Sequence, residues 1–135
     1  MSLPHPVKRD PQSTHGSLIE RVFAADAALD ADAFVKLLSD DVRLRIGSQP
    51  ALQGKAAVRQ AIGGVFGMMR AGLEHKLHER WESAETIVYE AEVTYHLKDG
   101  RDVDLPYTNV LRLTGNGLVQ DYSIYIDLAP LSARS

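Results

Sequence analysis

The chain has 135 residues, an apolar fraction of 44% and a formal net charge of −3; this suits one domain and gives no electrostatic case for binding nucleic acid or a membrane surface. It contains no cysteine, which excludes disulfides, thiol nucleophiles and thiolate metal sites. No apolar run approaches the roughly 20 residues of a membrane helix, and the N-terminal stretch lacks the apolar centre of a signal peptide, so a cytoplasmic protein is expected.

Residues 1–15 hold three prolines and read as an extended arm, with a single domain over 16–131. Leu18, Ile19, Val22, Phe23 and Ala27 recur at helical spacing and predict an amphipathic helix from about Gly16 to Leu29. Asp30 or Asp32 is a cap for a second, shorter helix that holds Phe34, Leu37 and Leu38 and ends at Ser39-Asp40-Asp41. Val42 to Ile46 alternates as a short strand, and Gly47 to Gly54 reads as a loop. A third helix follows from about Lys55 to Ala71, with Val58, Ile62, Val65, Phe66 and Met69 on one face and Gly72 as its C-cap. Gly63, Gly64 and Gly67 each weaken that helix by about 1 kcal/mol relative to Ala.

From Leu73 the period changes to two. Leu73, His75, Leu77, Glu79 and Trp81 share one face of a predicted strand. Three more strand-like runs lie between Thr86 and Leu131, separated by Lys98-Asp99-Gly100 and by Thr114-Gly115-Asn116-Gly117, whose Asp-Gly and Asn-Gly pairs are hairpin signals. Helices first and an antiparallel meander last make an α+β domain with helices on one face of the sheet. A curved antiparallel sheet wrapped over three N-terminal helices leaves a cone-shaped internal pocket, with its convex face available to a second copy.

Candidate chemistry sits on the strands. Tyr125 and Asp127 are two apart and share a face; burial would raise the Asp127 carboxyl and suit it to proton transfer, whereas at a rim it would only bond to its surroundings. His75 is a proton carrier if its face points inward, or else a satisfied core residue. Tyr107 and Asn109 share a face and can both donate to a developing oxyanion. Glu92 lies on the polar face of its strand with Glu90, Thr94 and His96, and parity by itself puts that face toward solvent. No metal constellation has the required spacing, since His75 and His78 point to opposite faces of a strand. No nucleophile triad, phosphate loop or dinucleotide fingerprint is present.

The pieces LLSDDVRLRI, QPALQG, LEHKLHERW and NGLVQDYSIYIDLAPL, in this order from about Leu18 to Leu131, resemble the SnoaL-like group of the nuclear transport factor 2-like superfamily. That group includes polyketide cyclases, ketosteroid isomerases and limonene epoxide hydrolases. The resemblance implies a conical fold, a deep pocket and a homodimer through the convex sheet face. It places the ketosteroid isomerase base at Ile46, its tyrosine at Val22 and its protonated aspartic acid at Asn109, so two of those three groups are missing. The epoxide hydrolase's last aspartate falls on Asp127; its arginine and first aspartate fall near Glu92 and Thr94, and its Tyr and Asn near Leu44 and Ile46. A cyclase-type reaction needs one buried carboxylate, which Asp127 would supply. The expectation is a small-molecule pocket protein, with cofactor-free acid–base chemistry (isomerisation, cyclisation, dehydration or hydrolysis) on a small apolar, oxygen-bearing substrate. Asp127, His75 and Asn109 are the catalytic candidates, and Tyr107, Trp81, Glu92, Tyr125, Leu44, Ile46 and Phe66 the lining candidates. The alternative is a non-catalytic ligand-binding or dimerisation domain.

Overall fold

The computed structural model describes residues 18–132; the N-terminal arm of the sequence reading lies outside them. Helices α1 (Leu18–Ala27) and α2 (Ala31–Val35) are followed by strands β1 (Leu38–Ile46) and β2 (Leu52–Gln53), then by α3 (Lys55–Phe66). Strands β3 (Glu74–Glu82), β4 (Thr86–His96), β5 (Asp102–Leu113) and β6 (Val119–Ile126) and the short helix α4 (Ala129–Ser132) complete the order. The six strands form one unclosed sheet in the order β2-β1-β6-β5-β4-β3. The α+β cone expected from the sequence is therefore the fold observed.

Strand alternation decides which face is covered. On β4, Ile87, Tyr89, Ala91, Val93 and Tyr95 are buried, and across the ladder Leu105, Tyr107, Asn109 and Leu111 of β5 are buried with them. This inner face packs with α1, α2 and α3 into a single apolar core, in which Leu18, Ile19, Val22, Phe34, Val58 and Phe66 represent the helices. The hairpin turns fall where expected, with Gly100 at φ 96° and Gly117 at φ 81°, a region open mainly to glycine.

Several boundaries differ from the sequence reading. Leu38 belongs to β1 instead of α2, because α2 stops after Val35 and β1 begins with a bridge from Leu38 to Val119. The sheet is not wholly antiparallel: β1 runs parallel to β6, which β1 reaches only through tertiary contact. The loop after Gly47 contains the two-residue strand β2. Helix α3 ends at Phe66 with Gly67 as its cap, before the predicted Ala71, and Met69 instead bridges to Leu97.

The largest correction concerns β3. A bulge between Leu77 and Glu79 shifts its register against β4. His75 and Leu77 face inward opposite Val93 and Ala91, but after the bulge Arg80 takes the inward place opposite Tyr89. Trp81 then pairs with Val88 on the outer side, so His75 and Trp81 do not share a face.

Candidate functional site

The polar heart of the fold is assembled from α1, β3 and β5. Ile19, Val22 and Asp26 lie on the buried stripe of α1, and Asp26 is 7% exposed. Its carboxylate Oδ2 is 2.7 Å from His75 Nε2, and the other ring nitrogen, Nδ1, is 2.6 Å from the Tyr107 hydroxyl. The Phe23 ring stacks on the imidazole at 4.4 Å and 3° between planes, and Tyr107 meets it edge-on at 5.6 Å. His75 is thus fixed at both nitrogens and on one face. The Asp26 carbonyl also accepts from the Leu73 N–H at 3.2 Å, tying the end of α1 to the approach of β3.

A second polar group adjoins the first. Asn109 Nδ2 donates to the Tyr89 hydroxyl at 2.9 Å, and Tyr89 is hydrogen-bonded to Tyr122. Asn109 Oδ1 is buried with no partner. Burial pushes the hydroxyls of Tyr89 and Tyr95 up to about 12 and drives those of Tyr107 and Tyr122 well above the usual phenol range.

These groups border a cavity of about 110 Å³. Its other walls are apolar, including Val22, Phe34, Ile46, Ile62, Phe66, Met69 and the 49% exposed Met68. Leu128 and Leu131, flanking the start of α4, also line it. Among the described residues, no three His, Asp or Glu side chains converge as metal ligands.

Of the sequence candidates, His75, Tyr107, Asn109, Ile46 and Phe66 line this cavity together. The others lie elsewhere. Asp127 is exposed beyond the end of β6, and its Oδ1 accepts from the Ala129 N–H at 3.0 Å, starting the turn into α4. This corrects the expectation of an acid directed inward. Tyr122, Ile124 and Ile126 take the inward places on β6, so Tyr125 and Asp127 fall on the opposite parity; Tyr125 is 51% exposed on the convex face. Glu92 pairs with Pro106 on that same outer face and bonds to His78 Nε2 at 2.9 Å, as parity alone indicated. Trp81 is turned outward by the β3 bulge. Leu44 is fully buried in the core and does not border the cavity.

The residue that the sequence reading missed is Asp26. Its signal was legible: an acidic residue four after Val22 and seven after Ile19, on the apolar stripe of an amphipathic helix. A carboxylate there must find a partner when the stripe is buried.

The family model for the SnoaL-like domain matches residues 19–122. No functionally curated protein matches the chain. Among solved structures, a protein assigned as a SnoaL-like polyketide cyclase from Jannaschia sp. CCS1 superposes with a TM-score of 0.77 at 19% identity, over 93% of this chain and 94% of that one. The epoxide hydrolase/cyclase-like enzyme SalBIII, with a role in pyran ring formation in the polyether salinomycin, gives 0.75 at 13% identity over 89% and 95%. An epoxide hydrolase of the limonene type from M. tuberculosis gives 0.69 at 17% identity over 82% and 80%. At these identities the likeness establishes the fold alone.

Proposed function

The chain belongs to the SnoaL-like domain family, and from that premise we propose that it is a small-molecule pocket protein performing cofactor-free acid–base chemistry on a small, apolar, oxygen-bearing substrate. The observation that carries this reading is His75 bridging Asp26 and Tyr107 on the wall of a largely apolar cavity. Such a wall gathers an uncharged guest, and the bridged groups supply a place where a proton can be given or taken. Ile46 and Val22, the positions matched to the isomerase base and tyrosine, are cavity walls here; the proton-handling groups come instead from α1, β3 and β5. Asn109 donates one of its two amide N–H groups to Tyr89, and so helps to position that phenol. Asp127 has no part in this machinery. Isomerisation, cyclisation, dehydration and hydrolysis all fit; the pyran-forming and epoxide-hydrolysing neighbours support an ether or epoxide oxygen as the reacting atom.

The test is a panel of small ketones, enones and epoxides incubated in D₂O, with deuterium uptake and product formation followed by NMR. Wild-type protein is expected to turn over at least one member. His75→Gln and Asp26→Asn are expected to slow it by on the order of 10²-fold or more, the usual share of a positioned acid or base. Unchanged rates in both variants would remove the bridged groups from the chemistry.

The second reading, ligand binding without catalysis, is favoured by one observation: the cavity, at about 110 Å³, lies below the roughly 300 Å³ where small-molecule sites usually begin. Native mass spectrometry of freshly purified protein showing an unaltered retained molecule, with no turnover on the panel, would favour it. We further propose a homodimer through the convex sheet face, supported by the aromatic ring of Tyr125 exposed there.

A further inference from the structure

Both nitrogens of His75 are occupied, one ring face is covered by Phe23, and its side chain is only 8% exposed. The imidazole therefore has no vacant hydrogen-bonding position for a guest. Tyr107 does: it lines the cavity, and His75 engages its hydroxyl from one side. A hydroxyl has one donor and two acceptor positions, so the bond to His75 leaves capacity to spare.

We propose that Tyr107 is the group that meets the substrate, and that its hydrogen-bonding sense at the cavity is set by the charge of His75. The Asp26 carboxylate is an acceptor and so keeps hydrogen on Nε2. With a neutral imidazole, Nδ1 bears a lone pair, Tyr107 donates its hydrogen to it, and the cavity sees an acceptor oxygen. With an imidazolium, Nδ1–H donates to the Tyr107 oxygen, and the phenol O–H turns to the cavity as a donor. The substrate class that suits this device is a neutral, ring-sized molecule whose oxygen is a hydrogen-bond acceptor before protonation and a donor after it. A cavity on the order of 150 Å³ holds a benzene-sized guest, which sets the scale for this slightly smaller one.

The proton step balances without a further reactant. The Nδ1–H bond of His75 breaks as an O–H bond forms on Tyr107, and the original Tyr107 O–H bond breaks as the substrate oxygen is protonated. One proton has then passed from imidazolium to substrate, the phenol is restored, and the Asp26 carboxylate is unchanged. The reverse sequence removes a proton. Burial holds the Tyr107 hydroxyl far above the usual phenol range, so the residue hands a proton on only as it receives another. The titratable side chains packed around this chain of bonds are Asp26 from α1, Tyr89 and Tyr95 from β4, Tyr107 from β5 and Tyr122 from β6.

This inference rests on the pocket reading above, and its test separates the two. Binding of cyclohexanone (acceptor only), pyrrole (N–H donor only) and benzene (neither) is measured by NMR titration at about pH 5 and pH 8, the span over which histidine changes charge. Cyclohexanone is expected to weaken on going to the higher pH and pyrrole to tighten, each on the order of several-fold to tenfold, with benzene unchanged. In Tyr107→Phe both probes should follow benzene; His75→Gln, which lacks a titrating group, should likewise show no pH effect. Shifts of the same sign for ketone and pyrrole, or opposite shifts that persist in Tyr107→Phe, would overturn the proposal while leaving the cavity intact. Failure of all three probes to bind wild-type protein would overturn both readings.

Discussion

A Cβ built on Gly72 lies 1.9 Å from the carbonyl oxygen of Ala27 and 2.6 Å from its carbon. Backbone cannot move aside as the tip of a flexible side chain can, so the approach of β3 to the end of α1 requires glycine at this point. That contact also sets the spacing at which the N–H of Leu73 meets the carbonyl of Asp26, and so the distance from Asp26 to His75. Gly72→Ala is therefore expected to destabilise the fold by roughly 3 kcal/mol, at the upper end of overpacking costs, measured as a shift in the urea midpoint; a midpoint within error of wild type would mean the segment has room to move. The sequence marks Gly72 as special but suggests a helix cap, because a glycine after an apolar helix face reads the same whether it ends a helix or admits a neighbour. Asp26 and Asp127 make the same point for acids. Each is a carboxylate beside apolar residues, and only the parity of β6 and the stripe of α1, seen together, decide which one is enclosed.

Among the elements, the regular ones follow from pattern. The alternation on β4 and β5 and the two glycine turns indicate two successive hairpins, and antiparallel β4–β5 and β5–β6 pairs flank those turns in the structure. Irregular ones escape it. Nothing local in LEHKLHERW announces that β3 takes an extra residue near His78, yet this reverses the side on which Trp81 lies. Helix α4 escapes for a different reason: four residues are too few to show a period. It is held from outside. Arg101 donates from Nη2 to the Leu131 carbonyl at 2.8 Å and from Nη1 to that of Pro130 at 3.2 Å, while Asp99 accepts from its Nε at 2.9 Å. Because Leu128 and Leu131 are cavity walls, this arginine fastens one side of the cavity. Arg101→Ala, which removes two charge-assisted hydrogen bonds to this helix, is expected to speed hydrogen exchange across residues 128–132 by about tenfold or more, with little change in global stability. Equal exchange in the two proteins would show that the leucines alone seat the helix.

The whole molecule presents two faces of one sheet with different surroundings. The concave face is closed by helices around the bridged histidine. The convex face carries Tyr125, half exposed, beside the hollow bounded by His78, Glu92 and Thr108. A large aromatic ring left in water on a broad sheet suits a second copy. Sedimentation velocity at tens of micromolar is accordingly expected to give a dimer for wild type and a monomer for Tyr125→Asp, which puts a charge in place of the exposed ring on the proposed contact face. A wild-type monomer under those conditions would refute the proposed assembly.

Sequence by itself determined the class of fold and the location of the hairpins, and it named part of the cavity wall, since these depend on the period of apolar residues and on turn chemistry, both written locally. Only the tertiary structure decided which acid is buried and which nitrogen of His75 meets which partner. Those contacts join residues 49 and 32 positions apart, and their geometry depends on a bulge, a glycine contact and a parallel strand pairing. A short-range pattern carries no record of how such distant segments are brought together.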